Sequence, residues 1–358
     1  MNIADFGWDD GFAARFAPFA GRGFMPARVV KQLRDLSVLA SERGELRGEV
    51  SGKFRHQTTR PGDFPVVGDW TAAECSGGKL AVIHAVLPRR SAFARKVAGE
   101  IVEAQMAAAN VDTVFLVSGL DGDFNLRRIE RYLTTAWNSG AFPVIVLNKA
   151  ELRTGIREIV AEVELAAPGV PVAAVSAVSG DIDALRPHLI PRKTIALLGS
   201  SGVGKSTLIN RLLGEERFVT GPVSDAVRGR GRHTTTAREL VRLPNGALLI
   251  DTPGMRELQL WEDDEGLSRA FDDIERLGAG CRYADCRHEK EPGCAVRDAV
   301  RAGVLDAGRL GSYHKLRKEL QFLDIKQDVR TRRQLEKTAG RRFAVQLKEV
   351  KKHKPRYQ

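Results

Sequence analysis

The stretch Gly199-Ser200-Ser201-Gly202-Val203-Gly204-Lys205-Ser206-Thr207 restricts this chain more than any other. It follows the apolar run Thr194-Ile195-Ala196-Leu197-Leu198, which reads as a buried strand, and opens into Leu208-Ile209-Asn210-Arg211-Leu212-Leu213, which reads as a helix. The pattern GxxxxGK[ST] between a strand and a helix is a phosphate-binding loop. Its glycines let consecutive backbone N–H groups turn inward toward phosphate oxygens, and the helix N-terminus adds its partial positive charge. Lys205 then reaches the β- and γ-phosphates, and the Ser206 hydroxyl is a ligand for Mg²⁺. A sheet flanked by helices is implied, with a nucleotide at the end of one strand.

The chain has 358 residues, enough for two or three domains. No run of eighteen apolar residues occurs, and Met1 to Asp10 carries Asp5, Asp9 and Asp10 where a signal peptide would be basic. A cytoplasmic protein without membrane contact is expected. The net charge of +11 points to a polyanionic partner, and the last 33 residues hold 12 Lys/Arg against 3 Asp/Glu. That tail, 326–358, reads as a nucleic-acid-facing helix or arm.

Residues 1–24 mix Phe with Ala, Gly and Asp, and read as a poorly ordered extension or a surface-docked arm. Over 25–92, five short β-like runs (27–30, 37–40, 46–50, 66–71 and 80–86) are separated by turns and studded with Arg and Lys, which suggests an OB-fold-like, RNA-binding barrel. Phe54, Phe64 and Trp70 read as core more than as base-stacking platforms, and His56 and His84 as ordinary barrel residues. From 93 to 262 the grammar is α/β. An Ala-rich helix is expected over 94–110, a strand over 111–117, a helix over 126–137 and a strand over 143–147. A helix over 151–165, a strand over 171–175, the phosphate-loop strand and a strand over 247–250 follow. Residues 263–325 read as helical and charged.

Asp251-Thr252-Pro253-Gly254 closes the strand at 247–250 as a DxxG element, with Asp251 helping to hold Mg²⁺ and the Gly254 N–H placed to sense the γ-phosphate. Asn148-Lys149-Ala150-Glu151 follows the strand at 143–147 and resembles the NKxD guanine-reading element of GTPases. There the amide braces the loop, the lysine covers the base plane and a carboxylate accepts from two donors on the base edge. Here the carboxylate is Glu151, one methylene longer than Asp. Ser176-Ala177 within Val175-Ser176-Ala177-Val178-Ser179-Gly180 resembles the loop whose backbone amide contacts the guanine oxygen. GTP is therefore favoured over ATP.

The base-reading motifs precede the phosphate loop and the DTPG element, the reverse of their order in ordinary GTPases. Motif order, an N-terminal barrel and a cysteine cluster behind the DTPG strand together resemble the circularly permuted, small-subunit-dependent GTPases of bacterial ribosomes, over roughly residues 25–325. The resemblance implies a permuted P-loop GTPase core between an OB-fold β-barrel and a zinc-binding α-helical domain. It implies GTP hydrolysis stimulated by the small ribosomal subunit late in its maturation. GTP/GDP, the small subunit and its rRNA are then the partners, and the chain is expected to act as a monomer. Within Gly229-Arg230-Gly231-Arg232-His233-Thr234-Thr235-Thr236 it selects Thr235 as the switch ligand to Mg²⁺, although spacing alone leaves Thr234 and Thr236 open. Met255 stands where many GTPases carry a water-orienting glutamine, and the resemblance assigns that role to His233.

Cys281, Cys286, His288 and Cys294 place three thiols and one imidazole within fourteen residues, the donor set of a closed structural Zn²⁺ site. Two other functions fit parts of the chain: an RNA-binding protein that keeps nucleotide as a structural ligand, and an ATP-dependent RNA remodeller, for which no helicase motif is present.

Overall fold

The computed structural model describes residues 1–33, 36–58, 60–96, 104–122, 124–217, 238–251 and 264–322. The chain starts as an arm, a 3-10 turn at Ile3–Phe6 and helix α1 at Asp10–Phe16. Asp9 caps α1 by accepting from the Phe12 N–H at 3.1 Å. Ile3, Phe12 and Phe16 are buried with Trp70 and Leu87, and Trp8 meets the Trp70 ring edge-on at 4.7 Å. The N-terminal extension is thus a docked arm.

Five strands follow: β1 (Met25–Gln32), β2 (Ser37–Ser41), β3 (Gly44–Val50), β4 (Trp70–Gly77) and β5 (Leu80–Val86), with helix α2 (Gly52–Gln57) between β3 and β4. β1, β2 and β3 pair antiparallel, β3 pairs parallel with β5, β5 pairs with β4, and β4 returns onto β1 with Arg28 opposite Trp70. The circuit closes a five-stranded barrel, which leaves no free edge. Ala27, Val29, Leu39, Leu46, Ala73, Ala81 and Ile83 fill it. Trp70 is fully buried beneath the arm, while Phe54 and Phe64 pair edge-to-face at 6.0 Å. Trp70 is core.

The Ala-rich segment expected as one helix over 94–110 is instead an antiparallel pair, β6 (Ala92–Lys96) with β7 (Ala104–Ala109). Ala107, Ala108 and Ala109 are almost wholly buried, and the Ala109 N–H donates to the Val67 carbonyl at 3.0 Å. Alanine's helical preference is worth only tenths of a kcal/mol per residue, and close packing of small side chains overrides it.

Beyond the hairpin come β8 (Thr113–Gly119), α3 (Leu126–Ser139), β9 (Phe142–Asn148), α4 (Ile156–Ala166), β10 (Val172–Ala174), β11 (Thr194–Leu198), α5 (Lys205–Leu213), β12 (Arg238–Arg242) and β13 (Leu248–Asp251). Their order across the sheet is β10-β9-β8-β11-β13-β12, parallel except for β12. β12 also pairs with β1, Lys31 opposite Glu239, so barrel and sheet share one run of eleven strands. The chain enters at β8, moves outward to β10, then returns to β11 on the other side of β8. Strand order reverses between β8 and β11, and crevices of that kind receive ligands at the carboxyl ends of the strands.

The C-terminal part contains α6 (Asp264–Ala270), α7 (Asp272–Gly278), α8 (Ala295–Arg301) and a helix over 307–322. Phe271, Ile274, Val296 and Leu316 share one apolar cluster with Ile129 and Leu133 of α3. Arg309 crosses the same contact. It donates to Asp273 Oδ1 at 2.7 Å, to Glu130 Oε1 at 3.1 Å and to the Ala166 and Ala270 carbonyls.

Candidate nucleotide-binding site and metal centre

β11, β8, β9, β10 and β13 deliver their motif residues to one edge of the sheet. The phosphate loop leaves β11 at Gly199, where a Cβ would stand 2.2 Å from the Val117 carbonyl oxygen of β8. Only glycine permits that approach. Gly204 is left-handed at φ 92°, and a Cβ there would meet Asn148 Nδ2 at 2.3 Å. Ser201 and Gly202 are exposed on the rim, Val203 is buried, and Ser206 and Thr207 are half-buried in the first turn of α5. No side chain caps that turn, so its N–H groups suit an anion. Lys205 is 8% exposed, and its Nζ donates to the Gly199 carbonyl at 2.6 Å and to that of Ser200.

Asn148 connects this loop to the base-reading side. Its Nδ2 donates to the Val203 carbonyl at 2.8 Å, while its Oδ1 accepts from the Ala177 N–H at 3.0 Å. Lys149 sits in the left-handed region at φ 64° and pairs with Asp121 Oδ2 at 2.5 Å. The Ala150 N–H donates to the Val175 carbonyl, and Glu151 is exposed in the short 3-10 turn that follows. The Ser176 hydroxyl accepts from the Ser179 N–H at 3.2 Å, which closes the neighbouring loop. Arg211 of α5 donates to the carbonyls of Ala177 and Val178. Residues separated by up to 63 positions in the chain (148 to 211) thus hold one another in place.

Four residues of this edge escape motif reading: Asp121, Arg128, Tyr132 and Arg211. Asp121 lies two residues beyond β8, a position the strand pattern marks even though no motif names it. Asp251 ends β13, half-buried, with the preceding Ile250 in register with Ala196 of the phosphate-loop strand. His233, Thr235 with its neighbours Thr234 and Thr236, Gly254, Met255 and the basic tail at 326–358 lie outside the described residues.

In the C-terminal part, the ligand atoms of Cys281, Cys286, His288 and Cys294 all lie within 4.8 Å of one another. Cys281 and Cys294 sulfurs are 3.9 Å apart, and His288 Nδ1 lies 3.5 Å and 3.4 Å from them. A tetrahedral ion with bonds of about 2.3 Å to sulfur and 2.0 Å to nitrogen requires edges of roughly 3.5–3.8 Å. The edges among Cys281, Cys294 and His288 match that geometry, and with Cys286 within 4.8 Å the four residues could hold a metal such as Zn²⁺. Burial first, and the two neighbouring thiols with it, push the Cys286 thiol up to about 11, so a cation among the sulfurs relieves a crowding of incipient charge. Backbone N–H groups of Val296 and Ala295, at the start of α8, favour the Cys281 thiolate against its burial.

Residues 86–261 match the family described as RsgA GTPase. A protein of Opitutus terrae named small ribosomal subunit biogenesis GTPase RsgA is 52% identical over 333 residues, covering 90% of this chain and 90% of that one. The chain belongs to the RsgA GTPase family. An RsgA of the same printed name from Syntrophotalea carbinolica is 43% identical and covers 92% of each chain. Among solved structures, YjeQ from Thermotoga maritima is 26% identical with a TM-score of 0.63, over 83% of this chain and 99% of that one. YloQ, titled a circularly permuted GTPase, shares the fold at a TM-score of 0.60 over 83% of this chain and 95% of that one, with 24% identity.

As an RsgA GTPase the chain is a GTP hydrolase, which displaces the reading in which nucleotide is only a structural ligand. The permutation expected from motif order is the strand path described above: a GTPase sheet entered at β8 instead of at the phosphate-loop strand. The Ser206 hydroxyl, in the first turn of α5, and the Asp251 carboxylate, at the end of β13, are hard oxygen donors, the chemistry Mg²⁺ requires. Among the described residues, no helix is long and apolar enough to cross a membrane.

Proposed function

We propose that this GTPase serves the biogenesis of the small ribosomal subunit in the cytoplasm, acting as a monomer on the subunit and its rRNA. The ribosomal part of the reading is supported by the 52% identity to a protein named for small-subunit biogenesis, and the nucleotide part by Asn148, whose amide joins the phosphate loop to the Ala177 loop and so couples recognition of the base to that of the phosphates. Residues Gly199 to Thr207 cradle the phosphates, with Lys205 and the loop amides offsetting charge on the β–γ bridge as water attacks in line. Ser206, Thr235 and Asp251 hold Mg²⁺, which when bound neutralises the phosphate oxygens. Lys149 covers the base plane, Glu151 accepts from its N–H edge, and the backbone at Ser176 and Ala177 meets its oxygen. The Gly254 N–H senses the γ-phosphate, and His233 orients the water that Met255 cannot. One Zn²⁺ on Cys281, Cys286, His288 and Cys294 is structural, since four protein ligands leave no open position.

The division of labour proposed is an arm 1–24, an RNA-binding barrel 25–92, a GTPase core 93–262, metal-bearing helices 263–325 and a basic tail 326–358. Exposed Arg43, Arg47, Lys53 and Arg55, beside exposed Glu42, Glu45 and Glu49, give the barrel cations that can meet a phosphate backbone. The test is the GTP hydrolysis rate of the purified full chain alone, with small ribosomal subunits and with large ones. Small subunits are expected to accelerate hydrolysis at least tenfold and large subunits not at all. Acceleration by large subunits alone, or by neither, overturns the ribosomal assignment and leaves the GTPase assignment standing.

A further inference from the structure

Two side chains of α3 converge on one hydroxyl of the phosphate loop. Arg128 Nη1 donates to Ser200 Oγ at 3.0 Å, and the Tyr132 hydroxyl lies 3.1 Å from the same atom. Four residues apart, they occupy one helix face a turn from each other. Ser200 fills a position that GxxxxGK[ST] leaves open to any residue, so no motif assigns these contacts. A hydroxyl has one proton and two lone pairs. With Arg128 donating into one lone pair, Tyr132 either donates into the other or takes the serine proton, and in both cases the Ser200 rotamer is fixed. The Ser200 carbonyl meanwhile accepts from Lys205 Nζ. One residue is therefore held through its side chain by α3 and through its backbone by the lysine that serves the phosphates.

The neighbouring face of α3 is clamped by the metal-bearing region. Arg127 pairs with Asp306 at 2.5 Å, Glu130 with Arg309 at 3.1 Å, and Arg131 with both oxygens of Glu319 at 2.8 Å. Glu130 is fully buried, so this contact fixes the helix in place instead of decorating its surface. Residues 127, 130 and 131 grip the C-terminal helices, and residues 128 and 132 grip the loop.

We propose that Arg128 and Tyr132 are positioning residues for the phosphate loop, acting through the Ser200 hydroxyl, and that α3 makes the loop's geometry depend on the seating of the C-terminal helices. The inference rests on residues 199–207 being the phosphate cradle. Lys205→Ala tests that premise separately: nucleotide affinity collapses if it holds and persists if it fails.

The experiment measures dissociation of fluorescent GDP and of a non-hydrolysable GTP analogue from the full-length protein by stopped flow, with melting temperature read on the same samples. Ser200→Ala and Arg128→Gln are each expected to speed release about three- to tenfold, the factor a lost hydrogen bond carries. The double variant is expected to be no faster than the worse single variant, because both remove the same bond. Arg128→Lys, which keeps a donor, restores part of the effect. Should Arg128→Gln fold poorly, Ser200→Ala removes one oxygen atom and carries the test alone. Coupling is read by hydrogen exchange over 307–322: GDP slows exchange in the natural protein, and Ser200→Ala abolishes that slowing. Unchanged release in Ser200→Ala, a fall in melting temperature without faster release, or full additivity in the double variant overturns the positioning role. GDP-dependent protection that survives Ser200→Ala overturns the coupling.

Discussion

Asn148 is 2% exposed and uses both ends of its amide, one on each of two loops. Alanine there leaves the Val203 carbonyl and the Ala177 N–H without partners in buried surroundings, a cost of about 1–3 kcal/mol that falls where the nucleotide must fit. Asn148→Ala is therefore expected to weaken GDP and GTP binding at least tenfold by calorimetry, with a smaller fall in the urea midpoint. Asn148→Asp, which keeps the acceptor toward Ala177 but sets a carboxylate against the Val203 carbonyl, is expected to lose as much. Affinity unchanged in both variants would show that the two loops hold their positions without the bridge. At this scale spaced motifs make residues legible that the structure then gathers together, as it does Asn148 with the phosphate loop and the four cysteine and histidine donors with one another. The sequence is silent on Asp121, Arg128 and Tyr132, whose roles arise from which helix face and strand end happen to lie beside the loop. That juxtaposition is a property of the sheet order, and no local spacing encodes it.

Elements were legible where burial sets the pattern on its own. The strands at 143–147 and 194–198 are apolar without interruption because helices cover both faces of a parallel sheet. The segment of the hairpin β6–β7 reads as helix because its alanines are compatible with one, whereas in the fold they serve for small size under close packing. β12 went unpredicted since Arg238-Glu239-Leu240-Val241-Arg242 is mostly polar, its pairing supplied by β13 on one side and β1 on the other. The arm gave no periodic signal, yet it is fastened at a definite point. Asp9 forms an ion pair with Arg90, which lies 3.9 Å from the Phe12 ring centroid, and that bond to Arg90 above all lowers the Asp9 carboxyl from its ordinary 3.8 to about 2. A carboxyl held below its unfolded value contributes stability that is complete above 3.8 and is lost as pH falls toward 2. Both side chains are partly exposed, so the contribution is modest and weakened by salt. Tryptophan emission from Trp8 and Trp70 is expected to report undocking of the arm between pH 4 and pH 2, with a shallower slope in Asp9→Asn. Equal slopes in the two proteins would remove Asp9 from the attachment.

At the scale of the whole molecule, three bodies of structure share one continuous apolar cluster, from Val30 and Val67 of the barrel through Val114 and Leu133 to Phe271 and Leu316, and a few buried polar groups cross the same contacts. Arg28 of the barrel is fully buried and donates to the carbonyls of Phe6, Gly68 and Asn110 and to the Thr194 hydroxyl at the foot of the phosphate-loop strand. Arg309 does the same between α3, the end of α4 and the C-terminal helices. Beside the helix over 307–322 the C-terminal part adds the short helices α6, α7 and α8, and the segment from the end of α7 to the start of α8 carries all four metal donors. Short helices of this kind are marginal alone, so the free energy of metal binding becomes free energy of folding for this part of the chain. Removing the ion by chelation, or weakening the site with Cys294→Ser, is expected to unfold α7 and α8 locally and to release the cluster around Phe271 and Ile274. Hydrogen exchange should accelerate by at least tenfold over 272–301 while protection of β1 to β5 is retained, because the barrel fills its interior with its own residues. Metal analysis should find one zinc per chain before chelation and none after it. If exchange over 272–301 is the same with and without the metal, the cluster is a reduced set of thiols that packing alone holds together, and the fold of this region owes nothing to an ion.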